Sequence, residues 1–198
     1  FEGSEDNFTI NSNGKIDILT LEVSNANSLD IQGTENINVY YLIDIKDNAT
    51  LITNDLLTLK CKFIGNNPNL ESYQVGQVAE TTGSISGNIL VEQCYTGRRA
   101  FRMLTSSVNT TQSIRANWQE NASSYTDNPN PGYGTHITGV GSNEDGYNGF
   151  DWQPSGNSSM FVFNNLEQSW GSQPNTYANL EVGQPYRLMI RGDRSIVL

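Results

Sequence analysis

Short stretches in which apolar and polar residues alternate recur through the first third of the chain, as in Ile16-Asp17-Ile18 and Leu29-Asp30-Ile31. Alternation with a period of two places every second side chain on one face and indicates a half-buried strand. Clusters of Asn, Ser and Asp separate these stretches, among them Ser24-Asn25-Ala26-Asn27 and Lys46-Asp47-Asn48. Because such residues tolerate the left-handed backbone of turns, the pattern restricts this part of the chain to β structure.

The turn clusters lack regularly placed Asn-Gly or Asp-Gly dipeptides, which are the strongest signal of antiparallel hairpins. Short strands without that signal fit either a sandwich or the coils of a parallel β-solenoid. Two stretches that begin near Leu21 and Ile45 share a similar layout, which favours coils. We therefore predict repetitive, solenoid-like β-coils over residues 1–87, with the joint to the next domain in the Gly-, Asn- and Thr-rich segment 66–87.

The second half of the chain contains all three tryptophans, at positions 118, 152 and 170. It also contains one predicted short helix, Ser113 to Glu120, with Thr111 or Ser113 placed to cap it. Long loops rich in Gly, Asn and Pro follow, together with predicted strands at Ser159 to Asn164 and Tyr186 to Ile190. These features predict a second all-β domain with large surface loops over residues 88–198.

The chain has 198 residues with 11 Lys and Arg against 21 Asp and Glu, a net charge of −10 and a pI near 4.4. Such acidity argues against nucleic acid as a partner. Charged residues make up only 16%, below the usual ~25%, and Asn, Ser and Thr fill the difference. The longest apolar run, Val39 to Ile43, is far shorter than the ~20 residues of a membrane-spanning helix, so no membrane span is expected.

Cys61 and Cys94 are the two cysteines of the chain. Their separation does not match the paired spacing of a zinc-thiolate site. Two alternatives stay open: a disulfide, which would stabilise the fold by about 3–4 kcal/mol, or two buried free thiols.

Six segments of the second half carry a family resemblance. They are GNILVEQCYTGRRAFRMLTSSV (87–108), SIRANWQEN (113–121), NPGYGTHITG (130–139), NGFDW (148–152), SSMFVFNNLEQSW (158–170) and VGQPYRLMIRGDRSIVL (182–198). Together they resemble a module of secreted and cell-surface proteins of the Bacteroidota, many of which are cargo of the type IX secretion system. Gln93 and Cys94 stand where that family usually has a basic and an aromatic residue.

The resemblance implies a jelly-roll-like β-sandwich over residues 88–198, in a large protein that the type IX machinery exports to the bacterial cell surface. It implies no defined reaction, and we predict a non-enzymatic, adhesin-like or glycan-contacting role, for which a surface glycan or a matrix molecule is the candidate ligand. The alternative is an accessory module of a secreted polysaccharide hydrolase or peptidase whose catalytic domain lies outside this chain. Phe1 and the strand-like ending at Leu198 predict that the chain is a piece of a longer protein.

His136 is the single histidine of the chain, which excludes a histidine-rich zinc site and leaves one imidazole as a general base. The sequence also lacks the Gly-x-Ser-x-Gly motif of a nucleophilic serine. We therefore predict no catalytic residues and expect His136 to pack within its loop.

A Gly-rich acidic loop supplies Asn143, Asp145, Asn148 and Asp151. Carboxylate and amide oxygens on such a loop are the ligands that calcium takes. Calcium is therefore the one cofactor that the sequence indicates, and the alternative is a set of solvated loop side chains.

Three aromatic residues, Tyr133, Tyr147 and Trp152, are predicted to lie in loops. Exposed rings among polar amides suit the faces and hydroxyl groups of sugars. We predict that these three rings form the ligand-binding face, whereas Trp118 is expected in the core and Trp170 at the end of a strand.

Overall fold

The computed structural model describes residues 7–25, 27–64, 73–95, 99–106, 108–122, 134–144 and 146–190. The chain divides into two compact units, Phe1–Thr96 and Gly97–Leu198. The described residues form fifteen strands, one short α-helix and one 3₁₀ turn, which confirms the prediction of an all-β chain. No helix in this part of the chain is long and apolar enough to cross a membrane.

The described strands of the first unit run from β1 to β11. They are β1 (Asn7–Ser12), β2 (Ile16–Val23), β3 (Ser28–Gly33), β4 (Ile37–Ile45), β5 (Thr50–Ile52), β6 (Leu57–Leu59), β7 (Cys61–Phe63), β8 (Tyr73–Val75), β9 (Gln77–Val78), β10 (Ser84–Ser86) and β11 (Leu90–Val91).

Two parallel sheets make up most of the first unit. The strand order is β1-β3-β5-β10 in one sheet and β11-β6-β4-β2 in the other, where β9 also pairs with β4. Successive strands alternate between the two sheets up to β6. Each new strand therefore pairs with the preceding strand of its own sheet. Like residues therefore pair, as Ile10 does with Ile31 and Leu29 with Leu51. β7 and β8 form a separate antiparallel pair.

The inward side chains of these strands form the core of the first unit. Those that are fully buried include Val23, Leu29, Ile31, Ile37, Val39, Ile43, Ile45, Leu51 and Leu57. Burying one such side chain stabilises a fold by roughly 1.5–3 kcal/mol. The predicted turn residues Asn25, Asp47 and Asn48 have φ angles of 62°, 52° and 59°, so the turn clusters do adopt the left-handed backbone.

The first unit extends to Thr96, beyond the predicted boundary at residue 87. β11 pairs with β6, and a disulfide joins Cys61 to Cys94 with their Cα atoms 5.9 Å apart. Both links hold residues 88–95 to the first unit, which moves the boundary towards the C-terminus. Of the two alternatives that the sequence leaves open for the cysteines, the structure has the disulfide.

The second unit is built on one antiparallel sheet with the strand order β12-β15-β13-β14. Its described elements are β12 (Ala100–Leu104), α1 (Ile114–Trp118), the 3₁₀ turn η1 (Tyr147–Gly149), β13 (Met160–Asn164), β14 (Ser169–Ser172) and β15 (Tyr186–Ile190). Within the described part of this unit, the remaining β pairing consists of the single bridges Ser106–Val182 and Ser113–Asn179. The second sheet of a sandwich therefore stays a prediction.

One face of this sheet is buried. Tyr186, Leu188 and Ile190 alternate along β15 and are each less than a tenth exposed. The Trp118 ring meets the Tyr186 ring edge-on, with centroids 5.9 Å apart. Helix α1 is shorter than predicted, but its cap is as expected, because the Ser113 hydroxyl accepts the Ala116 N–H at 3.2 Å. The buried face leaves the opposite face of the sheet to solvent.

Candidate functional site

The predicted aromatic ligand site lies partly outside the described residues, since Tyr133 is not among them. Tyr147 is 44% exposed, and its ring packs directly over Gly141. The Trp152 indole N–H donates to the Asn143 carbonyl oxygen at 3.0 Å. Both described rings thus contact the turn at residues 141–143, which holds them in place while Tyr147 stays accessible.

The predicted calcium ligands are placed in different environments. Asp151 is buried, and its Oδ2 accepts the Ile137 N–H at 2.9 Å and the Gln119 side-chain amide at 3.0 Å. Asn148 and Asn143 are exposed, and the Asn148 amide donates to the Pro174 carbonyl at 3.3 Å. Asp145 lies outside the described residues. Asp151 therefore has a structural role, and calcium binding by this set stays a prediction.

Polar groups beside Asp151 hold the loops of the second unit together. The Gly149 carbonyl accepts from the Thr176 hydroxyl at 2.7 Å, from Gln119 Nε2 at 3.1 Å and from Arg115 Nη1 at 3.3 Å. Three donors, two from α1 and its C-cap and one from the loop at Thr176, thus converge on one backbone oxygen. Across the described residues, no group of three or more His, Cys, Asp or Glu side chains is placed to hold a metal ion.

His136 contributes to the same loop framework. Its Nε2 lies 3.1 Å from the Trp152 carbonyl oxygen, so the imidazole links two loop segments. This contact agrees with the predicted packing role of His136.

The solvent-side face of the antiparallel sheet carries a group of side chains that the sequence reasoning missed. Alternation along each strand and the cross-strand register place them together, because directly paired residues share a face. We call this group the aromatic–arginine face, and it consists of Phe101, Met103, Phe161, Phe163, Trp170 and Arg187.

Arg187 lies at the centre of the aromatic–arginine face. Its guanidinium carbon is 4.5 Å from the Phe161 ring centroid, 5.0 Å from that of Phe101 and 5.4 Å from that of Trp170. All three distances are within the ~6 Å range of a cation–π interaction. Phe163 extends the group, since its ring lies 5.1 Å from that of Trp170.

The aromatic–arginine face remains accessible despite this packing. Phe101 is 44% and Met103 68% exposed, whereas Phe161, Trp170 and Arg187 are half-buried. Contiguous apolar patches on a protein surface often mark binding sites. A sequence signal did exist, because Arg187 interrupts an otherwise apolar strand and Phe161 and Phe163 alternate on one face.

The two units differ in charge. The first unit contains 13 Asp and Glu against 4 Lys and Arg, a net charge of −9, and the second contains 8 against 7, a net charge of −1. All seven cations of the second unit are arginines. The acidity of the chain therefore belongs to the first unit, and the second is almost neutral.

An apolar cavity of ≈ 240 Å³ lies in the first unit beside its outermost strands, β1 and β2. Its lining includes Ile10, Ile16 and Ile18. These are core-facing residues at the end of the strand stack, and the cavity contains few polar groups that could orient a ligand.

A scan against protein-family models found no matching model, and searches of curated proteins and of solved structures found no match either. Because the comparisons indicate no function, the functional proposal rests on the geometry of the aromatic–arginine face.

Proposed function

We propose that this chain is a non-enzymatic binding segment of an exported cell-surface protein and that it contacts glycans through the aromatic–arginine face. In this proposal the first unit, which extends to Thr96, forms solenoid-like coils that act as a spacer. The module that follows is a jelly-roll-like sandwich that presents the face. The single observation that carries the proposal is the row of accessible rings on a rigid antiparallel sheet.

Aromatic rings suit glycans because the C–H faces of a pyranose are apolar while its rim is polar. The aromatic–arginine face offers both kinds of surface. Phe161 and Trp170 supply rings, and Ser172, which pairs with Phe161 across β13 and β14, supplies an exposed hydroxyl. Strands hold their side chains more rigidly than loops do, which reduces the entropy lost on binding.

Export is supported by two features of the chain. The disulfide between Cys61 and Cys94 is typical of proteins that fold in oxidising compartments. The motifs of residues 87–198 resemble the surface proteins that the type IX machinery exports. We propose that machinery as the transient partner and the bacterial surface as the destination.

The proposal is tested by affinity electrophoresis of the full chain through gels that contain neutral or acidic polysaccharides. Wild type is expected to be retarded by at least one polysaccharide, and Trp170→Ala to lose most of the retardation. Tyr147→Ala is the matched control, because it removes another exposed ring of the second unit, and it should migrate as wild type does. Retardation that is lost in Tyr147→Ala but kept in Trp170→Ala would move the site to the loops and contradict the proposal.

A further inference from the structure

The guanidinium of Arg187 has aromatic neighbours but no anionic partner among the described residues. Its buried Nε has no hydrogen-bond partner there. Every ion pair within that part of the chain belongs to the first unit and involves Lys15, Lys46 or Lys60. A guanidinium carries five N–H donors, and a buried donor without an acceptor is costly. The face therefore has the donors of an anion site.

The position of Arg187 in the sheet places its charge beside aromatic side chains, which can stack on a sugar ring. Cross-strand pairing forms one row across all four strands, in the order Met103, Arg187, Phe161 and Ser172. At a strand spacing of ~4.8 Å such a row extends over about 14 Å. A ligand along it would meet an apolar side chain, a cation, a ring and a hydroxyl in turn.

We propose that the aromatic–arginine face selects glycans whose sugar rings bear a carboxylate, such as the hexuronate units of acidic polysaccharides. The rings of Phe161 and Trp170 stack on the sugar, and Arg187 binds the carboxylate. A guanidinium beside aromatic rings is weakly hydrated and pairs strongly with a planar carboxylate. This preference for carboxylate-bearing sugars rests on the proposed glycan-binding function and specifies the class of glycan that is bound.

The charge distribution makes the second unit much less repulsive to an anionic ligand than the first unit. The second unit has a net charge of only −1, whereas the first has −9. Repulsion between exposed charges falls off over a Debye length of ~8 Å at physiological ionic strength. Within the second unit, the charges that act most strongly on a ligand are those within about that distance of it, and Arg187 lies at the centre of the face.

The test compares polygalacturonate with its methyl ester, which has the same sugar ring without the charge. Titration calorimetry of the full chain is expected to show binding of polygalacturonate and at least about tenfold weaker binding of the ester. Arg187→Met, which keeps an apolar side chain of similar length, should lose the preference for the acid. Arg99→Gln is the matched control, since it removes an exposed arginine from the same unit, and should leave the preference unchanged.

The outcomes separate the two proposals. If wild type binds acid and ester equally and Arg187→Met changes neither, selection by charge is wrong and glycan binding stands. If wild type binds no polysaccharide of either kind or of a neutral panel, both proposals are wrong. If sedimentation shows self-association that Arg187→Met abolishes, the face is an interface between copies of the chain, which overturns the glycan assignment. An unchanged urea midpoint for the variant establishes that it is folded.

Discussion

Replacing Asp151 with alanine is expected to destabilise the second unit strongly. The Asp151 carboxylate is 2% exposed, and its Oδ2 accepts from Ile137 N–H at 2.9 Å and from Gln119 Nε2 at 3.0 Å. A hydrogen bond to a charged group contributes about 1.5–3 kcal/mol. The two bonds share one oxygen, so we expect a total loss of about 3 kcal/mol, near the lower end of their sum.

Urea unfolding followed by tryptophan fluorescence measures this loss. All three tryptophans lie in the second unit, so the signal reports that unit. With an m-value of about 1–3 kcal/mol/M, the midpoint for Asp151→Ala should fall by roughly 1–3 M. Asp151→Asn keeps an oxygen acceptor without the charge and should lose about half as much free energy.

Two controls decide whether the reasoning holds. Asn143→Ala removes an exposed side chain of the same loop and should change stability by less than about 0.5 kcal/mol. If the role of Asp151 is purely structural, Asp151→Ala should lower the midpoint by the same amount in calcium and in a chelator. If chelation lowers the midpoint of wild type but not that of Asp151→Ala, Asp151 is a calcium ligand and its structural assignment is refuted.

Three further predictions follow from the packing. Gly139→Ala should cost about 3 kcal/mol or more in the same urea assay, because a Cβ there would lie 2.1 Å from the buried Phe150 ring; an unchanged midpoint would contradict this packing. Burial raises the pKa of the Tyr186 hydroxyl above its ordinary 10.0. Stability from the neutral phenol is therefore present below pH 10 and lost as pH rises towards the native pKa, so Tyr186→Phe should weaken this alkaline loss and remove a late-titrating phenol from the absorbance at 295 nm. Reduction of Cys61–Cys94, 33 residues apart, should lower the free energy of unfolding of the first unit by about 3–4 kcal/mol in urea titrations followed by far-UV circular dichroism, whereas equal midpoints with and without reductant would contradict it.

Local patterns predicted the strands of the first unit because burial and alternation coincide there. In Leu29-Asp30-Ile31 the two aliphatic side chains are fully buried and Asp30 is not. The segment 66–87, which was predicted to be a joint, contains the strands β8, β9 and β10 in its described part. These strands are two or three residues long and polar, as Ser84–Ser86 illustrates, so their place in a sheet depends on distant pairing partners such as Thr50–Ile52.

The aromatic–arginine face was harder to predict, because alternation does not say which face of a strand is covered. Along β15, Tyr186 and Leu188 face the core while Arg187 and Met189 face outwards, and each set contains a large apolar side chain. Which face of the sheet is covered depends on where α1 and the loops pack. Trp170 was expected at the end of a strand, but it is the second residue of β14, and its contact with Arg187 requires strands far apart in sequence to pair.

The measurement that tests the central claim most directly is an NMR titration of the ¹⁵N-labelled chain with a soluble hexuronate oligosaccharide. The three tryptophan indole N–H signals report three different places in the second unit. Glycan binding at the aromatic–arginine face predicts that the Trp170 indole and the Arg187 guanidinium signals shift while those of Trp118 and Trp152 stay in place. Shifts confined to the Trp152 indole and its loop, or no shifts with any glycan, would contradict the claim.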